Sequence, residues 1–231
     1  MEDDIIWCAS FDIGKNNFCF YIEEMNVTAL KKIKNIPDNE QYNENGTLTD
    51  KMDKLLNEVF VNGKTIIYKN SNLTYNCKKG KKLDPETYHN MVDLLDEYSE
   101  YWDKCSYFII EEQMKINTMA LKLGQHCYSY FVYRYGRFKK VIEFPSRHKT
   151  QVLGCERIKG KKCKNGKFRW KTIDKPARKK WSIVKAREIL HSRGEQDIID
   201  NIKTISKKDD ISDCITQLNS YKYLYFVNKS I

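Results

Sequence analysis

The sequence predicts an α/β fold: a mixed five-stranded sheet, with three antiparallel strands followed by two parallel ones, flanked by helices. Short apolar runs separated by polar turns fill the first 33 residues, as in consecutive β-hairpins. From residue 84 onward, apolar runs of strand length alternate with stretches of helical periodicity, as where helical crossovers join parallel strands. With 231 residues, of which 41% are hydrophobic, the chain is long enough for one core, and we expect a single domain over 1–231.

The first half of the chain supplies the three antiparallel strands. Residues 5–11 are a nearly continuous apolar run, typical of a buried strand, and a polar turn returns the chain into a second strand at 18–22. A third strand is expected at 27–33. Residues 34–84 are rich in Asn, Lys, Asp and Gly, and they predict a polar insertion that is partly helical, partly mobile and not a separate core.

The second half supplies helices and the two parallel strands. Asp84-Pro85-Glu86 predicts a helix start, because proline is favoured at the first helical position, and apolar residues at helical spacing continue to residue 102. The remaining predicted elements are a strand at 107–110 that runs into Glu111 and Glu112, a helix at 117–135, a strand at 141–144, and helices at 181–192 and 209–226.

The formal net charge of +10 is concentrated in one basic insertion. Residues 155–181 contain nine lysines and three arginines against two acidic residues, which alone accounts for +10. Phe168, Trp170 and Trp181 are interleaved with these cations, a mixture that suits a surface following a nucleic-acid backbone and stacking on its bases. The alternative is a solvated basic loop whose aromatic side chains pack back onto the fold. The candidate DNA-binding residues of the insertion are Lys159, Lys161, Lys162, Lys164, Lys167, Arg169, Lys171, Arg178, Lys179 and Lys180.

Other classes of protein are disfavoured by the sequence. The apolar runs are far shorter than the roughly 20 residues that a membrane-spanning helix needs, so no membrane partner is expected. The acidic N-terminus lacks the basic region of a secretory signal, and we expect an intracellular protein. None of the eight cysteines forms a Cys-x-x-Cys pair, and a zinc site of His148, Cys155 and Cys163 matches no common ligand spacing.

Acidic residues mark the ends of predicted elements. Asp12 ends the first strand, Glu111 and Glu112 end the fourth, and Asp210 and Asp213 are three residues apart, hence on one helix face. Carboxylates crowded into one site repel one another unless a cation neutralises them, and an acidic set without His or Cys favours Mg²⁺ or Mn²⁺. Two such ions could activate a water for phosphodiester cleavage. The alternative is that the aspartates only cap a helix and that the glutamates lie at a solvent-exposed strand end.

Five short motifs occur in an order that resembles the RuvC-like Holliday junction resolvases. They are Phe11-Asp12-Ile13-Gly14, Ile110-Glu111-Glu112-Gln113, the run ALKLGQ at 120–125, Arg147-His148-Lys149 and Asp210-Ile211-Ser212-Asp213. The run at 207–213 is similar to the poxvirus-type branch. The resemblance implies a ribonuclease H-like fold, a Mg²⁺-dependent endonuclease with two ions per site and Mn²⁺ as a substitute, and a homodimer that nicks a four-way DNA junction symmetrically.

The resemblance also implies roles for individual residues. The implied catalytic residues are Asp12, Glu111, Lys149, Asp210 and Asp213, and all of these except Lys149 are implied metal ligands. Glu112 competes with Glu111, because a strand turns only one of two successive residues towards a site. Lys149 is implied to lie near the scissile phosphate, and Lys122 and Arg147 join the candidate DNA-binding residues.

Two alternatives and a location complete the expectations. A ribonuclease H that acts on RNA–DNA hybrids has a similar fold and similar carboxylates, and a non-catalytic nucleic-acid-binding module keeps the fold without cleavage. The poxvirus-type resemblance implies a large DNA virus, in which the protein would act on recombining or concatemeric genomes. Its location would then be the site of genome replication, in the host cytoplasm or a virus factory.

Overall fold

A five-stranded sheet forms the centre of the computed structural model, which describes residues 4–78, 80, 82–162 and 168–231. Its strands are β1 (Ile5–Asp12), β2 (Phe18–Asn26), β3 (Lys64–Ser71), β4 (Cys105–Glu112) and β5 (Lys140–Pro145), in the order β3-β2-β1-β4-β5. The pairs β1–β2 and β2–β3 are antiparallel, whereas β1–β4 and β4–β5 are parallel. The predicted mixed sheet is therefore confirmed.

Helices cover both faces of this sheet. They are α1 (Val27–Lys32), α2 (Asp50–Val61), α3 (Pro85–Glu97), α4 (Ser99–Lys104), α5 (Thr118–Tyr135), α6 (Arg147–Val152), α7 (Lys175–Ser192), α8 (Gln196–Thr204) and α9 (Lys208–Lys222). The helices α2, α7 and α9 pack on one face, and α3, α4 and α5 enclose aromatic side chains around Trp102 on the other. Within the described part of the chain, no helix combines the length and apolar character that crossing a bilayer requires.

The predicted third strand at 27–33 is wrong, because α1 occupies this stretch. Asn26 caps the helix by accepting a hydrogen bond from the Ala29 amide at 2.9 Å. Val27 and Leu30 supply its buried side chains, and their spacing of three residues suits one face of a helix. The short apolar run was therefore one helical turn rather than a strand.

The third antiparallel strand is β3, inside the segment 34–84 that composition predicts as an insertion. It is an edge strand whose side chains are mostly half-buried, so its sequence tolerates lysine and asparagine and lacks the apolar run of a buried strand. The same segment contains α2, which buries Met52 and Leu56 completely. Part of this segment thus belongs to the core rather than lying on top of it.

Some boundaries and elements differ from the prediction in the rest of the chain. The helical stretch that starts at Asp84 is two helices, α3 and α4, which meet at Tyr98. Helix α7 begins at Lys175 instead of residue 181, because Asp174 accepts a hydrogen bond from the Ala177 amide at 2.8 Å and so caps an earlier turn. Helices α6 and α8, and a hairpin of β6 (Arg157–Lys162) and β7 (Phe168–Thr172), were not predicted.

One glutamine fixes α9 to the two central strands. The side-chain amide of Gln217 donates to Ser10 Oγ at 3.0 Å, to the Phe11 carbonyl at 3.2 Å and to the Ile109 carbonyl at 3.1 Å. Asp213 lies four residues earlier on the same helix face. The contact therefore holds the start of α9 over the carboxyl ends of β1 and β4.

A buried ion cluster joins β2 to the carboxyl ends of α7 and α9. Glu23 is fully buried and accepts hydrogen bonds from Lys222 Nζ at 2.6 Å and Tyr21 Oη at 3.1 Å. The guanidinium of Arg193 is 2.8 Å from the same carboxylate. Arg193 has a second carboxylate, Glu195, at 3.8 Å, so removal of the Glu23 carboxylate would leave the buried ammonium of Lys222 unpaired and Arg193 with one acidic partner.

The β6–β7 hairpin rests on a loop from the other long segment, residues 42–48. The Arg157 amide donates to the Asn45 carbonyl at 2.8 Å, and Tyr42 Oη donates to the Val152 carbonyl at 3.1 Å. Gly46 has φ +83°, and a Cβ at this position would lie 2.5 Å from Arg157 Nε. The two segments that looked like separate insertions therefore form one contiguous unit.

Candidate active site

A cavity of about 370 Å³ lies at the carboxyl ends of β1 and β4. Its lining includes all five implied catalytic residues: Asp12 from β1, Glu111 from β4, Lys149 from α6, and Asp210 and Asp213 from α9. The β1–β4 pairing brings the first two strand ends together, and the contacts of α9 with these strands add the last two carboxylates. Residues separated by up to about 200 positions in sequence thus meet in one place.

The register of β4 separates Glu111 from Glu112. Glu111 lines the cavity and its side chain is 14% exposed, whereas Glu112 is exposed and outside the cavity lining. Successive strand residues point to opposite faces, so only one of the two can face the cavity. In the structure, Glu111 is the one of the two that faces the cavity.

Lys149 lies buried among the carboxylates. Its Nζ is 3.0 Å from Glu111 Oε1 and 3.6 Å from Asp213 Oδ1, and its side chain is 8% exposed. Burial disfavours the charged ammonium, but Glu111, Asp213 and Asp12 outweigh burial and hold the pKa of Lys149 well above its ordinary value. This lysine is therefore a permanent positive charge inside an acidic site.

One ammonium group does not neutralise all of these carboxylates. Burial and then the charge of Glu111 raise the pKa of Asp12 well above its ordinary value. For Glu111 itself, burial acts in the same direction, but Lys149 and hydrogen bonds prevail and lower its pKa. Burial, followed by the charge of Asp209, raises the pKa of Asp210. The cavity consequently holds negative charge that an additional cation would relieve.

The acidic residues of α9 have different partners. Asp209 pairs with Lys179 and is not among the residues that line the cavity. Asp210 accepts a hydrogen bond from Asn70 Nδ2 of β3 at 3.3 Å. Asp213 accepts one from Ser182 Oγ of α7 at 2.7 Å.

Asn70 and Ser182 were missed by the sequence analysis. Neither lies in a motif, and each contacts the site only because β3 and α7 bring it there. Both hydrogen bonds orient a carboxylate that lines the cavity.

The donor set suits a hard cation. All four carboxylates offer oxygen ligands, the kind that Mg²⁺ prefers, and burial together with neighbouring carboxylates raises the pKa of Asp12 and of Asp210. In the positions that the described residues take, no three acidic, His or Cys side chains are grouped tightly enough to hold an ion. Lys149 Nζ contacts both Glu111 and Asp213, so the ammonium group occupies space between these two carboxylates.

Basic residues border the cavity on the side of the hairpin. Arg147, Arg178 and Lys179 line it, as does Lys175, which the sequence analysis did not select. On the hairpin, Lys159 Nζ lies 5.5 Å from the ring centre of Phe168 and 5.6 Å from that of Trp170, within cation–π range. Lysines and aromatic rings therefore share one surface next to the acidic site.

The other predicted DNA-binding residues occupy three kinds of position. Lys122 is exposed on α5 and is not among the cavity-lining residues. Exposed side chains of the hairpin and of the start of α7 are Lys161, Lys162, Arg169, Lys171 and Lys180. Lys164 and Lys167, together with Cys163 of the disfavoured zinc site, lie outside the described residues.

Two curated viral proteins are similar to this chain over nearly its whole length. Uncharacterized protein 170L of Invertebrate iridescent virus 6 is 35% identical over 238 aligned positions, which cover 98% of this chain and 93% of the relative. Uncharacterized protein 97L of Invertebrate iridescent virus 3 is 26% identical, with 93% of this chain and 98% of the relative covered. No family model matches the chain.

Solved structures show the same fold at low sequence identity. The fowlpox virus resolvase, in complex with its substrate Holliday junction DNA, aligns with a TM-score of 0.52 and 18% identity over 95% of this chain and 99% of that one. The yeast mitochondrial Holliday junction resolvase Ydc2 aligns with a TM-score of 0.52 and 9% identity over 97% and 86%. The overall arrangement of strands and helices described above is thus that of the RuvC-like resolvases, the poxvirus branch included.

Proposed function

The chain belongs to the family of protein 170L of Invertebrate iridescent virus 6, and from this and its RuvC-like fold we propose that it is a metal-dependent endonuclease that resolves four-way DNA junctions. One observation carries the proposal: five residues selected from sequence motifs come from four separate elements and line one cavity. Basic side chains at the start of α7 and Thr172 of the hairpin line that same cavity, so positive charge lies beside the carboxylates.

In this proposal, some residues bind the DNA phosphates and others take part in cleavage of the scissile bond. Arg147 and Arg178 at the cavity wall would bind phosphates next to the scissile bond. Lys149, kept protonated by its carboxylate neighbours, would offset the negative charge that develops on the phosphate in the transition state. Asn70 and Ser182 would keep the α9 carboxylates in fixed orientations.

The proposed cleavage chemistry would depend on divalent ions. Two Mg²⁺ ions, or Mn²⁺ in their place, bound by Asp12, Glu111, Asp210 and Asp213 would supply an activated water and stabilise the leaving oxygen of a hydrolysed phosphodiester. A purely DNA-binding module has no use for four carboxylates facing phosphates, because they would repel its ligand. The acidic lining of the cavity therefore favours an enzyme.

A homodimer follows from the geometry of the proposed substrate. Resolution of a four-way junction needs two nicks, and each chain has one cavity of this kind among its described residues with all five residues in its lining. Two copies related by a twofold axis would place one cavity at each of two opposed strands. Both relatives come from iridescent viruses, and the proposed role is recombination or concatemer processing at the site of viral genome replication.

The experiment that tests the proposal compares three labelled substrates in Mg²⁺: a four-way junction, a linear duplex and an RNA–DNA hybrid. We expect paired nicks at symmetric positions in the junction and little cleavage of the other two. Preferential cleavage of the hybrid would replace the proposal by ribonuclease H activity. Binding of the junction without cleavage would indicate a non-catalytic module.

A matched variant tests whether cleavage depends on the cavity. Asp12→Asn keeps the size of the side chain but removes its charge, so we expect cleavage to be lost while junction binding is retained. Thermal unfolding of the variant checks that the fold is intact. Full cleavage by Asp12→Asn would refute the proposed role of the cavity.

A further inference from the structure

A second polar cavity, of about 320 Å³, lies at the same edge of the sheet as the acidic one. It is formed by the β1–β2 turn, by the loop that follows β3 and by the start of α3. Since β1 and β3 run in the same direction, their carboxyl ends share one edge of the sheet. The acidic cavity uses the ends of β1 and β4, and this second cavity uses the ends of β1 and β3.

Short connections join the two cavities. Lys15 of the second cavity follows Asp12 of the first by three residues. Asn70, which donates to Asp210, lies four residues before Thr74, another lining residue of the second cavity. The Leu73 amide donates to the Lys15 carbonyl at 2.8 Å and so ties these two connections together.

The loop after β3 is held in place by buried side chains. Asn90 is 2% exposed, and its amide donates to the carbonyls of Leu73 and Tyr75, both at 3.0 Å. Leu73 is itself buried against the core. The part of the loop at 73–75, which includes the lining residue Thr74, is therefore held against the core.

Positive charge dominates this second cavity. Its charged lining residues are Lys15, Lys78, Lys82 and Asp84. The carboxylate of Asp84 is occupied by backbone amides, since it accepts from Lys78 N at 2.9 Å and from Glu86 N at 3.0 Å. In the ranges that the structure describes, none of the three lysine side chains takes part in a salt bridge.

We propose that this lysine cavity, which lies towards β3 at the same sheet edge as the acidic cavity, binds backbone phosphates of the junction. The inference rests on the proposed function and extends it, because the protein would then have a second phosphate-binding surface, separate from the one next to the β6–β7 hairpin. A four-way junction carries DNA on both sides of its cleavage point, so each surface would hold a different stretch of backbone.

The test measures junction binding without cleavage, in EDTA, over a series of salt concentrations. The variant replaces Lys15, Lys78 and Lys82 by glutamine. Its control replaces Lys31, Lys32 and Lys34, which lie beyond the carboxyl end of β2 and thus at the opposite sheet edge. Fluorescence anisotropy of a labelled junction gives the affinity and its salt slope, and the slope does not depend on how much of a preparation is active.

We expect the cavity variant to lose about 0.9 of salt slope for each phosphate contact removed, which corresponds to about fivefold in affinity per contact at 0.15 M salt. The control is expected to bind like the unmodified protein. Equal slopes for the two variants would overturn the inference, even if the unmodified protein cleaves junctions. Absence of junction cleavage by the unmodified protein would instead refute the proposed function.

A second probe distinguishes DNA phosphate from a free anion. Inorganic pyrophosphate is titrated into the unmodified protein and the cavity variant by calorimetry. Weak or absent heat together with a lost salt slope supports a DNA-backbone site. Tight pyrophosphate binding that the variant loses, with junction binding unchanged, would assign the cavity to a free anion and overturn the inference.

Discussion

Replacement of Lys149 by methionine removes the one positive charge buried among the cavity carboxylates while keeping a side chain of similar length. In the protein, this ammonium lies 3.0 Å from Glu111 and 3.6 Å from Asp213. Without it, two largely buried carboxylates face each other and Asp12 uncompensated. Loss of one partner of a buried ion pair costs about 3–5 kcal/mol, and because Asp213 is 28% exposed we expect a loss of about 3 kcal/mol.

Thermal unfolding in EDTA at pH 7 measures this loss. For a chain of this length, about 3 kcal/mol corresponds to a fall in Tm of roughly 6–12 °C. The matched control is Lys51→Met, which breaks a pair with Glu40 whose side chains are 67% and 39% exposed, so a loss of at most about 1 kcal/mol is expected. Equal losses in the two variants would refute the claim that Lys149 neutralises buried carboxylates.

The pH dependence of the same variant gives a second check. Although burial opposes the charged form, Lys149 lowers the pKa of Glu111 in the folded protein. The resulting stabilisation is complete above the unfolded-state pKa of about 4.3 and disappears as the pH falls through the lowered folded-state value. The stability gap between the protein and Lys149→Met should therefore be full at pH 7 and narrow below about pH 4.3.

Three other variants test the surroundings of the site. Glutamine at the three lysines of β6 should weaken junction binding and lower its salt slope by about 0.9 per lost contact, and an unchanged slope would count against the hairpin. Gly46→Val should displace Arg157 at the hairpin base, so we expect weaker junction binding together with a lower Tm. Glu23→Gln should cost about 3–5 kcal/mol in urea unfolding, and a loss below about 1 kcal/mol would contradict the buried ion cluster.

The acidic residues could be predicted from sequence because their signals are local. Asp12 and Glu111 follow apolar runs that end abruptly, and Asp210 and Asp213 have the spacing of one helix face. Their convergence depends on strand order and on the contact between Gln217 and the strand carbonyls, which no local pattern encodes. Before the structure, only the resemblance to a known family indicated that these four carboxylates belong to one site.

The pair Glu111 and Glu112 shows a limit of prediction from the alternation of side chains along a strand. Alternation states that one of the two faces the site, but the phase is set by how β4 packs between its neighbours. In the structure, Ile110 is buried on the face of α5, and Glu111 therefore faces α6 and α9. That information lies in the packing and not in the sequence of the strand.

Elements with polar sequences escaped prediction for a physical reason. β3 is an edge strand and the β6–β7 hairpin is exposed on both faces, so neither needs the apolar residues by which buried strands are found. The contact between the loop at 42–48 and Arg157 links positions more than 100 residues apart. Asn70 and Ser182 acquire their roles only through such tertiary placement.

The central claim, that the acidic cavity performs cleavage, is tested most directly by two neighbouring substitutions. Glu111→Gln and Glu112→Gln are identical changes one residue apart on β4, but only Glu111 lines the cavity. Single-turnover cleavage of a four-way junction in Mg²⁺ should fall by about 100-fold or more in Glu111→Gln and by less than about 3-fold in Glu112→Gln. Equal rates for the two variants, or a larger loss in Glu112→Gln, would contradict the claim.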